Sequence, residues 1–241
     1  MRPEALAGLL DGLGPEWAGL SLTMPLKQTV LPLLDEVAPL AAATGAANTV
    51  VLSPQGRAGS NTDVPGLVAA LRGAGVVRVQ RAVVLGGGAT AASALAALAE
   101  LGDPAPVVLV REPARAGPLL LAAERLGVAP VVRRLDPAGL AGADVVISTV
   151  PAGALDGLAV GLPACRGVLL DCVYAPWPTP LARAWAGPVV GGAHLLLHQA
   201  AEQVRRMTGR VAPLAAMRAA LPAPLLAGGG PVSSGAAPPP M

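Results

Sequence analysis

The chain has 241 residues, 53% hydrophobic and 13% charged, which excludes global disorder and suffices for one large domain or two small ones. Its net charge of +2, 2% aromatic content and lack of any basic run speak against nucleic-acid binding by charge and stacking. Two isolated cysteines, Cys165 and Cys172, lack the spacing of a metal site or disulfide framework and fit a reducing cytoplasm.

Leu6, Leu9, Leu10 and Leu13 recur at helical spacing and predict a helix within 4–13. Trp17 to Thr23 reads as extended and ends at Pro25, with a second helix expected from about Gln28 to Ala38. Asn48 to Leu52 predicts a short strand, and Ser53 to Gly56 a turn into Arg57–Ser60. Asn61-Thr62-Asp63 precedes an apolar helical run to Arg72, with Thr62 or Asp63 as the N-cap and Pro65 in the first turn.

From 79 to 192 short apolar runs alternate with helix-like or loop segments: Val83–Leu85, Val107–Val110, Val131–Val132, Val145–Ser148, Val168–Asp171 and Val189–Val190. That alternation predicts a parallel sheet of Rossmann type. Residues 194–219 return to a helical pattern, with Leu196, Gln199, Ala200, Gln203 and Met207 on one face. The tail from Ala223, residues 223–241, is rich in Gly, Pro, Ser and Ala and is expected to be disordered. The uncharged stretch Ala82–Ala99 is long enough to suggest a membrane span. Its three consecutive glycines and Ala-rich second half instead predict a strand, a turn and a helix. With no signal-peptide pattern at the N-terminus, the reading is a soluble, cytoplasmic protein with no membrane partner.

Gly86-Gly87-Gly88-Ala89-Thr90-Ala91 follows the strand Val83–Leu85 directly and matches G-x-G-x-x-A. Gly86 permits the tight turn, Gly88 lets the backbone approach a pyrophosphate, and Ala91 lets helix and strand pack closely. The phosphate then meets free N–H groups at a helix N-terminus. The next strand ends at Val110, before Arg111-Glu112-Pro113-Ala114-Arg115. An acidic residue there suits the 2′-hydroxyl of NAD, and arginine suits the 2′-phosphate of NADP. Two arginines flank one glutamate, so NADP(H) is favoured. The alternative is a solvated loop in which Glu112 pairs with Arg111 or Arg115.

Composition singles out a second set. There are 16 Arg but one Lys, Lys27, and only two Asn, Asn48 and Asn61. A GC-rich genome explains the bias, and disfavoured residue types survive best where chemistry needs them. Lys27 follows a Pro-terminated extended segment and can exchange a proton, which an arginine cannot. Asn48 and Asn61 both donate and accept, which suits vicinal hydroxyls. Asp63 could hold Lys27 in place. Lys27 also reads as a surface lysine, and Asn48, Asn61 and Asp63 as ordinary turn or cap residues. Gln199, on an apolar helix face, needs a partner, either substrate or backbone. His194 and His198 lie four apart, but with no third ligand nearby no metal site is expected.

In order, S-L-T-M-P-L-K (21–27), G-A-A-N-T, N-T-D-V-P-G, G-G-G-A-T-A, S-T-V-P-A-G, D-C-V-Y-A-P-W-P-T-P and H-Q-A-A-E-Q resemble the shikimate dehydrogenase family along nearly the whole chain. Where that family has N-V-T-x-P-x-K, this chain has Ser21 in place of the Asn. The resemblance implies a two-domain α/β enzyme: a small α/β substrate-binding domain, residues 1–78 completed by helices in 193–222, and a Rossmann-type parallel-sheet NADP-binding domain, residues 79–192. It implies NADPH-dependent reduction of 3-dehydroshikimate to shikimate in aromatic amino-acid biosynthesis. Lys27 and Asp63 map onto the catalytic pair. Thr23, Lys27, Asn48, Asp63, Tyr174 and Gln199 map onto or near the substrate. Ser148, Thr149, Val150 and Gly192 map around the nicotinamide, and Gly86 to Ala91 with Arg111 and Arg115 hold the rest of the cofactor.

Family members also carry a strand and helix with G-x-P-x-x-H-S-x-S-P, whose serines bind the substrate carboxylate. Met1 here falls inside the following helix. The expectation is that about one βα unit, roughly 30 residues or more, is missing through a misassigned start or a fragment, leaving an open sheet edge or groove. Two other functional readings stand beside the first: an NAD-dependent quinate/shikimate dehydrogenase, kept open by Glu112, and a dinucleotide-binding protein without catalysis. Monomer and homodimer are both open.

Overall fold

The computed structural model describes residues 2–159 and 161–226. Two sheets organise it. The first part of the chain gives α1 (Leu6–Asp11), β1 (Gly19–Ser21), α2 (Leu26–Thr29), β2 (Glu36–Val37), α3 (Pro39–Thr44), β3 (Thr49–Ser53), β4 (Gly56–Ser60) and α4 (Asp63–Gly73). Its sheet has the order β1-β3-β4-β2; β1 and β4 run antiparallel to β3, and β2 is parallel to β4. Leu6, Leu10, Leu22, Leu26, Val30 and Val50 form its core.

The second part gives β5 (Ala82–Leu85), α5 (Ala89–Glu100), β6 (Val107–Val110), α6 (Gly117–Leu126), β7 (Val131–Arg134), β8 (Val145–Ser148), β9 (Val168–Asp171), α7 (Pro180–Ala184) and β10 (Val189–Gly191). All six strands are parallel, in the order β10-β9-β8-β5-β6-β7. Chain order therefore reverses between β5 and β8, and an open α/β sheet binds its ligand in the crevice at the carboxyl ends of the strands flanking such a point. Alternate residues of each strand enter opposite cores. Val84, Val108, Ile147, Leu170 and Val190 pack under α4, α5, α6 and the next helix, while Val83, Leu85, Leu109, Val146 and Leu169 pack under α7 and Trp185. The chain closes with α8 (Gly192–Thr208), α9 (Leu214–Ala219) and α10 (Ala223–Leu226).

The six strand positions and the strand–turn–helix reading of 82–99 hold. Among the described residues no helix is long and apolar enough to cross a membrane. Other expectations are corrected. Gln28–Ala38 is not one helix: α2 stops at Thr29, Leu31–Leu33 form a 3-10 turn, and β2 follows. Pro32 supplies no N–H and disfavours helical geometry at Leu31, while pairing with β4 draws Glu36 and Val37 into the sheet. Helix α3 was not anticipated. The C-terminal helical run breaks at Gly209, whose φ of +69° caps α8 in the left-handed region. The expected face of α8 also shifts: Leu195, Gln199 and Gln203 are buried, whereas Leu196 is exposed. Ala223–Leu226 are helical rather than disordered, because α10 folds back against α8. The rest of the expected disordered tail lies outside the described residues.

Candidate active site

Lys27 sits in α2, directly after the extended segment that β1 begins. Asp63 opens α4, with only Asn61 and Thr62 between it and β4. The two meet with Lys27 Nζ 2.6 Å from Asp63 Oδ2, and both side chains are largely buried. Asn48, which precedes β3, holds the other oxygen by donating Nδ2 to Asp63 Oδ1 at 2.8 Å. Its Oδ1 accepts from the Thr62 backbone N–H at 2.8 Å and from the Thr49 hydroxyl at 2.9 Å. The Asn48 amide also reaches Gln199 Oε1 at 3.1 Å, and Gln203 donates to the Asn48 carbonyl at 3.1 Å. Such a network fixes every member of a buried polar cluster in one orientation.

Thr62 occupies the N-cap position of α4, as expected, but its side chain makes no capping bond. Asn61 does the capping, accepting from the backbone N–H groups of Asp63 at 3.0 Å and Val64 at 3.3 Å. The Asp63 carboxylate is engaged by Lys27 and Asn48, and the Thr62 hydroxyl faces Asn48 and Gln199. The amide of Asn61 reaches Thr44, the Ala46 carbonyl and Ser93 of α5, tying the two sheets' helices together. Asn61 is thus a structural residue here.

Helix α8 brings Gln199 to this cluster by packing closely on α4. A Cβ on Gly66 would stand 3.0 Å from Leu195 Cδ1 and 3.1 Å from the Gln199 backbone nitrogen. The cavity beside the pair, of about 230 Å³, is lined by Thr23, Lys27, Asp63, Tyr174, Gln199 and Gly192, together with Ser21, Leu22, Thr90, Cys172, Leu195 and Leu196. Asn48 is not among its lining residues. It is 1% exposed and lies behind Asp63, so its contact is with the Lys27–Asp63 pair. Burial, and then the charges of Asp171 and Asp63, push the Cys172 thiol far up, so it remains a protonated wall group.

The second cavity, of about 620 Å³, opens over the carboxyl ends of β5, β6 and β7 and is lined by Gly86, Gly87, Arg111, Arg115 and Val150 among others. Gly86 has a φ of +110°, and a Cβ there would lie 2.6 Å from Thr149 Oγ1, so the turn needs glycine. Thr149 is fixed by donating its hydroxyl to the Leu85 carbonyl at 2.8 Å. Gly88 precedes α5 with open space where a side chain would be, which leaves its backbone free to approach a ligand. Ala91 is fully buried, and Ala89 is half-buried at the start of the same helix. Ser148 lies one strand over, in register with Asp171 and beside Val150. A glycine turn, a free helix N-terminus and several guanidiniums fit a phosphorylated dinucleotide. Thr90, in the first turn of α5, lines the Lys27 cavity instead.

Two features were not read from the sequence. Arg134 extends β7 two residues beyond the expected Val131–Val132 and lines the larger cavity. Glu112 pairs with neither Arg111 nor Arg115; its Oε2 lies 3.9 Å from Arg134 Nη2. The available signal was the charged pair Arg133-Arg134 ending an apolar strand at the ligand-binding edge of the sheet.

Residues 1–50 match the family profile described as "Shikimate dehydrogenase substrate binding domain", and residues 192–221 match "Shikimate 5'-dehydrogenase C-terminal domain". A relative from Moorella thermoacetica named shikimate dehydrogenase (NADP(+)) is 36% identical over 90% of this chain and 79% of its own length. The crystal structure of Mycobacterium tuberculosis shikimate dehydrogenase superposes with a TM-score of 0.82 at 40% identity, covering 92% of this chain and 85% of that one. A Thermus thermophilus shikimate 5-dehydrogenase in complex with NADP(H) and shikimate superposes at 0.77 with 32% identity, over 91% and 84% of the two chains. The chain belongs to the shikimate dehydrogenase family.

Proposed function

We propose that this chain reduces 3-dehydroshikimate to shikimate with NADPH, with Lys27 and Asp63 as the acid–base pair. The carrying observation is the 2.6 Å contact between them in a cavity that α5, the helix after the glycine turn, also borders. NADPH supplies the hydride when bound. Gly86 to Ala91 would hold its pyrophosphate, Arg111 and Arg115 its 2′-phosphate, and Ser148, Thr149, Val150 and Gly192 its nicotinamide end.

As the ketone carbon is reduced, negative charge grows on its oxygen. Lys27 Nζ donates a proton there, and the Asp63 carboxylate holds the ammonium in place. Asn48 fixes Asp63, while Thr23, Tyr174 and Gln199 bind substrate hydroxyls along the wall. We assign substrate binding to residues 1–78 with 193–222 and dinucleotide binding to 79–192. A biosynthetic reduction of this kind belongs in the cytoplasm.

The test follows loss of NADPH absorbance with 3-dehydroshikimate, with NADH as the control. Turnover with NADPH preferred is expected. NADPH binding without turnover would leave the chain a dinucleotide-binding protein only.

A further inference from the structure

We infer that Arg134 sets the preference for a 2′-phosphorylated cofactor by pairing with Glu112 and neutralising its charge at the adenosine pocket. The inference rests on the NADPH reading above and adds a specificity-determining residue from the adjoining strand, β7.

The position after the second strand of such a sheet is where the adenosine ribose is read. It carries contradictory chemistry here. Arg111 and Arg115 attract a 2′-phosphate, whereas Glu112 repels it and suits the free 2′-hydroxyl of NAD. All three line the same cavity of about 620 Å³, so the carboxylate cannot be dismissed as facing elsewhere. Arg134 resolves the conflict. It ends β7 directly opposite Val110, the last residue of β6, so its side chain rises at the same rim two residues before Glu112. Glu112 has an extended backbone (φ −135°, ψ 95°), which turns its side chain away from those of its chain neighbours. Its Oε2 lies 3.9 Å from Arg134 Nη2. Among these four charged residues the carboxylate is thus paired across strands, while Arg111 and Arg115 remain for the ligand.

Both partners are largely exposed, so the pair adds little to fold stability. Its consequence falls on the ligand. Removing Arg134 frees a negative charge within a few ångströms of where the 2′-phosphate is expected. At a surface site that repulsion is worth about tenfold in affinity at low salt, and less as salt screens it.

Calorimetric binding of adenosine 2′,5′-bisphosphate and of 5′-AMP, at low ionic strength, tests this without requiring turnover. The wild type should prefer the bisphosphate. Arg134→Ala should weaken bisphosphate binding by about tenfold while leaving 5′-AMP unchanged or tighter. In the Glu112→Gln background the same change should have little effect, because no carboxylate remains to be neutralised. Equal loss in both backgrounds would overturn the inference, since Arg134 would then be a direct phosphate ligand. No loss in either would overturn it too. A wild type indifferent to the 2′-phosphate would instead sink the NADPH reading beneath it. The NADPH to NADH ratio of kcat/KM should follow the binding, with the KM for 3-dehydroshikimate unmoved.

Discussion

Asn48 donates Nδ2 to Asp63 Oδ1 at 2.8 Å and has almost no solvent exposure of its own. Any effect of Asn48 on the proposed reaction therefore passes through Asp63. Asn48→Ala should leave Asp63 Oδ1 and the Thr62 N–H without this partner, at about 1–3 kcal/mol of stability. If positioning is its role, kcat should fall while the KM for NADPH holds. Thermal unfolding beside steady-state kinetics separates the two effects. A stability loss with unchanged kcat would leave Asn48 as a structural residue.

Lys27→Ala should lower kcat by about 10²–10⁴-fold if Lys27 Nζ supplies the proton. Lys27→Arg is the sharper variant, because it keeps the positive charge opposite Asp63 but cannot give up a proton near neutral pH. It should be nearly as inactive as the alanine variant. Recovery of activity in the arginine variant would make Lys27 an electrostatic binding residue only. Near-normal folding of both, read by circular dichroism, is the necessary companion measurement.

Gly86 has a φ of +110°, and a Cβ there would press to 2.6 Å from Thr149 Oγ1. Gly86→Ala should add about 1–3 kcal/mol of strain at the mouth of the dinucleotide crevice. The expected result is a raised Kd for NADPH by fluorescence titration, with the Lys27 cavity intact. Gly88→Ala should be milder in the free protein, because open space lies where its Cβ would go. Its cost should emerge only with cofactor present. Equal behaviour of the two variants in the free protein would contradict the assignment of the steric conflict to Gly86.

These sites differ in how far the sequence revealed them. Gly86 stands inside a local pattern of strand, turn and helix, so short-range rules reach it. Lys27 is conspicuous because it is the only lysine beside 16 arginines. The partnership of Asn61 with Thr44 and Ser93 joins residues 17 and 32 positions apart, and only the folded chain brings them together. For that reason local rules suggest Asn61 as a substrate group, while its structural partners and its capping of α4 emerge only in the fold. Pro32 was visible within the supposed helix 28–38, but the pull of β4 on Glu36 and Val37 was not. The Arg134–Glu112 pair depends on the register of β6 against β7, a long-range fact that a local motif cannot supply.

His194 and His198 of α8 give the fold a pH dependence. Burial lowers the proton affinity of both; Arg218 of α9 lowers it further, as does His194 for His198, while a contact with the Leu226 carbonyl partly offsets the fall at His194. A histidine whose folded pKa lies below its unfolded value, about 6.5, binds fewer protons folded than unfolded. Its stabilising contribution is therefore full above the unfolded pKa and is lost as pH falls below it. Thermal unfolding should show Tm declining from about pH 7 to about pH 5.5, a window above most carboxylate titrations. The double variant His194→Gln, His198→Gln should flatten that slope. Arg218→Ala should shallow it, by making the charged imidazoles less costly. A slope unchanged in the double variant would place the proton uptake elsewhere in the fold.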